Sequence, residues 1–367
     1  MKFVTRFTLF VLLFLCSKAY SQGEAANWYF GNRAGFTFNS GFPVALQDGK
    51  LQTVEGSATI SDRNGNLLFY TDGSVVYDRQ HNVMPNGNGL KGNVSSSQSA
   101  IIIPKPANPG RYYIFTVDKP DYYNSPGNPI EGINYSEVDM SLNGGFGDII
   151  TSTKNTHLVT YDQGDPLENE FKSSEKISAV AHEDGSSYWV VTHFVDRFFS
   201  FKVTSTGVDP NPVTSNSANS VPIVFNEDGV NITAIGYLKL SPNGEKLAIA
   251  FSSTSLGSPR DLSRKTGKVF IYDFDDSTGK VSNEQLLLGA SYPYGVEFSP
   301  KTTKLYVTNN IFNNEGRVES GELLQFDLES SNIASSKKMI HSSNNNAGAL
   351  QLAINGRIYR AGYPVGN

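Results

Sequence analysis

One hydrophobic and polar pattern recurs along the chain. A short alternating strand leads into a polar turn holding Gly or Asn-Gly, and a second strand rich in β-branched and aromatic residues follows. The clearest copy runs Ser57-Ala58-Thr59-Ile60-Ser61-Asp62, turns at Arg63-Asn64-Gly65-Asn66 and returns through Leu67-Leu68-Phe69-Tyr70-Thr71. Alternation of this kind puts successive side chains on opposite sheet faces. Asn-Gly between two such runs marks a hairpin, because both central residues of a type I′ turn need positive φ.

The unit returns at Ser99-Ala100-Ile101-Ile102-Ile103 with Tyr112-Tyr113-Ile114-Phe115-Thr116, and around Glu183-Asp184-Gly185 with Tyr188-Trp189-Val190-Val191-Thr192. It recurs at Pro242-Asn243-Gly244, at Lys301-Thr302-Thr303, and at Asn355-Gly356. Successive turn markers Gly65, Gly110, Gly185, Gly244, Thr302 and Gly356 lie 45, 75, 59, 58 and 54 residues apart. Several short strands on a period of roughly 40 to 60 residues predict propeller blades, and the uneven spacing predicts insertions. Third strands follow the hairpins at 198–203, 268–274 and 322–328, and a fourth after each completes a blade. The expected fold class is therefore all-β, a β-propeller of four-stranded antiparallel blades, about six or seven in number. No stretch carries the 3.6-residue apolar period of a long amphipathic helix.

Both ends modify this picture. The last hairpin strand, 357–361, is followed by only six residues. A half blade leaves an open sheet edge, so the sequence predicts a fragment truncated within its last blade. The alternative is that Asn27-Trp28-Tyr29-Phe30 and nearby strands complete the sixth blade. At the other end, Lys2 and Arg6 precede an apolar run from Phe7 to Cys16 and small or polar residues at Ser17, Ala19 and Ser21. This is the pattern of a secretory signal peptide, expected over 1–21 and cleaved after Ser21, with the propeller domain over 22–367. The apolar run is too short for a membrane span, which needs roughly 20 residues. Lipidation at Cys16 is disfavoured by Leu15 directly before it.

Cys16 is the only cysteine, so the chain after cleavage has no disulfide and relies on its core. Losing Lys2, Arg6 and Lys18 with the leader takes the formal charge from −5 to −8. That balance excludes nucleic acid and anionic membrane surfaces as expected partners, since both reward clustered Lys and Arg.

Candidate chemistry is sparse. His81, His157, His182, His193 and His341 form no local ligand pair of the kind zinc motifs use. Asp273, Asp275, Asp276 and Ser277 look superficially like a calcium loop, yet Thr278 replaces the required Gly and the twelfth-position Glu is missing, so a solvated turn is expected. Gly289-Ala290-Ser291-Tyr292-Pro293 ends in Pro and is no nucleophile elbow. Gly279-Lys280-Val281 lacks the Ser or Thr of a phosphate loop. With 35 carboxylates no acid–base pair stands out. The doublets Tyr112-Tyr113 and Phe198-Phe199 read as core. Tyr122 and Tyr123, among Pro120, Pro126, Gly127 and Pro129, are the candidate exposed ligand contacts. No catalytic residue, metal ligand or cofactor is assigned.

Val296-Glu297-Phe298-Ser299-Pro300 through Lys304-Leu305-Tyr306-Val307-Thr308-Asn309 resembles the Tyr-Val-Thr-Asn propeller repeats of microbial surface-layer proteins and the wider WD-repeat-like class. Together with Asn27-Trp28-Tyr29-Phe30-Gly31, Gly56-Ser57-Ala58-Thr59-Ile60-Ser61-Asp62 and Ala349-Leu350-Gln351-Leu352-Ala353, it is similar to the N-terminal propeller of large Bacteroidetes surface proteins. The resemblance implies gliding-motility-associated proteins sorted by type IX secretion, although no sorting domain follows here. It also implies an exported, non-enzymatic interaction or adhesion scaffold meeting a protein or glycan at the cell surface. The alternative is a carbohydrate-active or lactonase-like propeller enzyme with its site at the channel mouth; a third is a passive spacer. Carboxylates converging at the mouth favour the enzyme, and an uncharged or merely aromatic rim favours binding.

Overall fold

The computed structural model describes residues 23–120, 129–226, 229–258, 260 and 262–365. The expected leader and the candidate contacts Tyr122 and Tyr123 lie outside the described residues. The N-terminal sheet holds β1 (Asn27–Phe30), β2 (Ala34–Thr37) and β3 (Val44–Leu46). The first blade is β4 (Ala58–Ser61), β5 (Leu67–Thr71), β6 (Val75–Asp78) and β7 (Val83–Asn88). The second is β8 (Ala100–Pro104), β9 (Arg111–Val117) and β10 (Ile133–Asp139), with β11 (Asp148–Ile149) and β12 (Thr156–Leu158) side by side along β10. The third repeats this plan: β13 (Ile177–Ala181), β14 (Tyr188–Phe194), β15 (Arg197–Thr204), then β16 (Gly207–Val208) and β17 (Val213–Asn216) along β15.

The fourth blade is β18 (Leu238–Leu240), β19 (Lys246–Phe251), β20 (Gly267–Asp275) and β21 (Lys280–Ser291). The fifth is β22 (Pro293–Phe298), β23 (Lys304–Phe312), β24 (Val318–Asp327) and β25 (Lys338–Ser343), and the hairpin β26 (Leu350–Leu352) with β27 (Ile358–Arg360) begins the sixth. The architecture is a six-bladed β-propeller built on four-stranded antiparallel blades. In the remaining sector the two ends of the described chain meet: Tyr359 of β27 stands edge-on to Trp28 at 5.7 Å and to Phe38 at 5.4 Å between ring centroids. Among the described residues helix is confined to short 3₁₀ turns and the six-residue α1 (Pro166–Phe171), whose Asp165 cap accepts from the amides of Leu167 and Glu168.

The turns fall where the sequence puts them, but not as type I′ hairpins: Asn64, Asn243 and Asn355, directly before the glycines, do not share the positive φ that type I′ needs at both central residues. Gly65, Gly110, Gly185, Gly244 and Gly356 all have positive φ, between 65° and 83°, and Thr302 takes the same place at 55°. Five of the six positions thus use the residue with no Cβ penalty in that conformation.

The core occupies the clefts between blades, because each strand sends alternate side chains to opposite faces. In β14, Val190 joins Ile103, Phe115 and Phe201 between the second and third blades. Its neighbours Trp189 and Val191 join Leu247, Ile249 and Phe270 between the third and fourth. Ala248 and Ile271 meet Val296 and Val307 in the next cleft. Of the doublets, Tyr113, Phe198 and Phe199 are buried, and Tyr112 is half-buried against the core between the first and second blades.

Candidate site at the channel mouth

The first strands of successive blades pack side by side about the axis, β4 beside β8, then β13, β18, β22 and β26. The residues leading into these strands therefore converge at one end of the channel. Glu55 precedes β4, Ser97 and Gln98 precede β8, Glu175 and Lys176 precede β13, Tyr237 precedes β18, and Tyr294 lies at the start of β22. Gln98 braces the arrangement. Its Oε1 accepts from the amides of Ile177 at 3.3 Å and Leu238 at 2.8 Å, and its Nε2 donates to the Leu238 carbonyl at 3.1 Å, so one side chain joins three blades.

Glu55 and Tyr294 are half-buried at the mouth, and the Tyr294 hydroxyl donates to Glu55 Oε1 at 3.1 Å. Tyr237 lies beside Tyr294, with 5.4 Å between ring centroids. Glu175, 1 % exposed, sits behind them. Its Oε2 accepts from the Ser97 amide at 2.8 Å and the Ser97 hydroxyl at 2.7 Å, while its Oε1 has no partner. Lys176, also fully buried, donates from Nζ to the Thr233 carbonyl at 3.2 Å and to the Ala234 carbonyl, and its ammonium position lies 4.8 Å from the Phe251 ring centroid. It fastens the third blade to the fourth.

Burial sets the charge of this group, since taking an ion out of water disfavours its charged form. Burial, with the Glu175 carboxylate nearby, pushes Glu55 up to about 7. Burial raises Glu175 and pulls Lys176 down to about 7, against the pull of its neighbour Glu175. Burial and the adjacent carboxyls raise Tyr237 and Tyr294. A carboxyl at about 7, partly open to solvent and hydrogen-bonded to a tyrosine, suits proton transfer near neutral pH. A second ionic tie has only a structural role: Glu297 accepts from Lys239 at 3.2 Å and from the Leu352 amide at 3.0 Å, joining the fourth, fifth and sixth blades.

The motifs weighed in the sequence fall elsewhere. His182 and Asp184 form the β13–β14 turn, 3.2 Å apart. Asp275 accepts from the Ser277 amide at 2.9 Å in the β20–β21 turn, and Asp273 pairs with Lys246 and Asn283, so this segment is a turn, as expected. Ser291 ends β21 rather than an elbow. Among the described residues no group of three or more His, Cys, Asp or Glu could hold a metal ion.

Sequence reasoning missed the mouth cluster altogether. One signal was present: Glu55 stands ten residues before Gly65, and Glu175 ten before Gly185, so the two carboxyls occupy one position of the repeat. Buried acids at equivalent places in a ring point to a shared axis.

No protein-family model matches the chain, and no curated protein does. Among solved structures it is similar to a putative 6-phosphogluconolactonase from Bacteroides fragilis, at 12% identity over 92% of this chain and 86% of the other, with a TM-score of 0.47. It is also similar to the β-propeller domain of Swd1 from Myceliophteria thermophila, at 13% identity over 90% and 85%, TM-score 0.45. A glycosidase-family-43 β-1,3-galactosidase matches at 12% identity over 79% and 89%, TM-score 0.41. The expectation that the chain is not an enzyme is corrected by these findings: a galactosidase and a putative lactonase stand among the propellers it is similar to, so the fold gives no ground for that exclusion. The mouth itself is neither uncharged nor merely aromatic, which was the arrangement expected of a simple binding rim.

Proposed function

We propose that this chain is an exported, carbohydrate-active propeller enzyme that hydrolyses a glycoside or sugar lactone at its channel mouth, with Glu55 as general acid and base. The observation that carries the reading is Glu55 itself: a half-buried carboxyl pushed up to about 7, hydrogen-bonded to Tyr294 and backed by the buried Glu175. Opening an ester of a sugar needs a proton withdrawn from the attacking water and then delivered to the leaving oxygen, and one carboxyl poised near neutrality does both in turn; an acetal asks in addition for a second carboxylate as nucleophile or base. Tyr237 and Tyr294 offer ring faces and hydroxyls, a pairing suited to sugars. The expected leader places such substrates outside the cytoplasm, in keeping with the resemblance to Bacteroidetes surface proteins.

The test is turnover of a panel of neutral aryl glycosides and aldonolactones by the purified protein and by Glu55→Gln. Activity on at least one, reduced by roughly 10²- to 10⁴-fold in the variant, supports the reading. Turnover that survives Glu55→Gln intact, or none on any member, overturns it.

A further inference from the structure

The channel mouth offers a single open carboxyl. Glu55 Oε1 accepts from the Tyr294 hydroxyl at 3.1 Å, and Glu55 Oε2 has no partner among the described residues. The carboxyls around it are committed. Glu175, 1 % exposed behind the tyrosines, accepts from the Ser97 amide and hydroxyl. Asp118 takes the amides of Lys119 and Glu131, each at 2.8 Å, and Glu131 pairs with Lys91 at 2.6 Å. Glu297 is held by Lys239 and the Leu352 amide. A phenol, by contrast, is free: the hydroxyl of half-buried Tyr237, whose ring lies 5.4 Å from that of Tyr294, has no partner among the described residues.

Acetals and esters of sugars ask for opposite surroundings. The transition state for cleaving an acetal is cation-like and flanked by two carboxyls. Opening an ester gathers negative charge on the carbonyl oxygen, which wants a hydrogen-bond donor, and needs one general base for the water. A lone carboxyl beside a free phenol suits the ester.

We propose that the bond opened at this mouth is the ester of a sugar lactone and not the acetal of a glycoside, with Glu55 Oε2 as general base and the Tyr237 hydroxyl donating to the carbonyl oxygen. A water oxygen joins the carbonyl carbon, its proton passes to Glu55, and a carbonyl electron pair moves onto the oxygen held by Tyr237. That pair then re-forms the double bond, the ring C–O bond breaks, and the departing oxygen takes the proton from Glu55. One water is consumed, a hydroxy acid is released, and Glu55 returns to its carboxylate. Tyr294 is a positioning residue, since its bond to Oε1 leaves Oε2 for the water. Burial raises Tyr237, so its hydroxyl keeps the proton it donates throughout the neutral range.

The inference rests on the proposed role of Glu55, and its test separates the two. The purified protein is given a panel of aldonolactones and of aryl glycosides, with the uncatalysed rates subtracted. Lactones are opened and glycosides are not. The lactone rate climbs as pH rises through about 7, because the base must be ionised. Glu175, Lys119, Tyr294 and Tyr237 face Glu55 and set where that climb falls. Tyr237→Phe, which keeps the ring on Tyr294, lowers kcat on the lactone by roughly 10²- to 10³-fold and leaves KM nearly unchanged. A structural role for Tyr237 moves stability and leaves kcat alone. Should Tyr237→Phe fail to fold, the wild-type panel and pH profile decide. Glu55-dependent turnover of an aryl glycoside overturns the inference and leaves the proposed site standing. A lactone rate that falls above about pH 7, or Tyr237→Phe at full kcat, overturns the roles assigned here. Turnover of no member overturns the proposed activity and the inference with it.

Discussion

Glu55 ties the site's chemistry to the stability of the fold. Its carboxyl titrates at about 7 in the folded chain, above the ordinary value of 4.5. Between those two values the folded state holds a proton that the unfolded state has released, so stability falls as pH rises through this window. At roughly 1.4 kcal/mol per unit, the loss from this one group is at most about 3.5 kcal/mol, and less once solvent screening at the half-exposed mouth is counted. Urea midpoints of the wild type should decline between pH 4.5 and 7, and Glu55→Gln should flatten that decline. Lys176 works in the opposite sense at higher pH. Its folded value of about 7 lies below the ordinary 10.5, so the unfolded state binds the extra proton between them, and stability recovers as pH rises from 7. Lys176→Met, which keeps the stem and removes the amine, should abolish that recovery in the same titration. Lactone opening, which needs Glu55 ionised, should climb through about pH 7, which a pH–rate profile reads directly.

At the scale of the element, the hairpin turns decide how much of the fold was legible. Asn64-Gly65 and its counterparts announced themselves because only a few residues tolerate the left-handed backbone, and all six markers have it. Strands such as Leu67–Thr71 and Lys246–Phe251 were readable from their β-branched and aromatic runs. The small residues of Ala34–Thr37 gave no such signal, nor did the two- and three-residue strands Asp148–Ile149 and Thr156–Leu158, which lean on a longer neighbour for their ladder. The candidate site was hidden for a different reason: Tyr294 and Glu55 are 239 positions apart, and only closure of the ring brings them together. Thr302 offers an experiment at this scale. It holds φ of 55° with a branched Cβ, and its hydroxyl is buried without a partner. Thr302→Gly should raise stability by about 1 kcal/mol, seen as a higher denaturant midpoint at unchanged slope.

Across the whole molecule, stability is distributed over the inter-blade clefts, and the seam where the chain's ends meet is built differently. Tyr29 stacks on Tyr70 at 4.5 Å, its hydroxyl donates to Asp48 at 3.0 Å, and Tyr70 bonds to His81 at 3.0 Å. On the other flank the seam rests on the ring contacts of Trp28 and Phe38 with Tyr359. Tyr359→Ala removes the partner of both rings and should cost about 2 to 3 kcal/mol, measured by denaturant unfolding. The chain has two tryptophans, and they divide between these regions. Trp28 stands at the seam, whereas Trp189 is buried between the third and fourth blades with its Nε1 donating to the Asp276 carbonyl at 2.8 Å. The protein thus carries its own pair of optical reporters: emission from one follows the opening of the ring, and emission from the other follows the melting of its body.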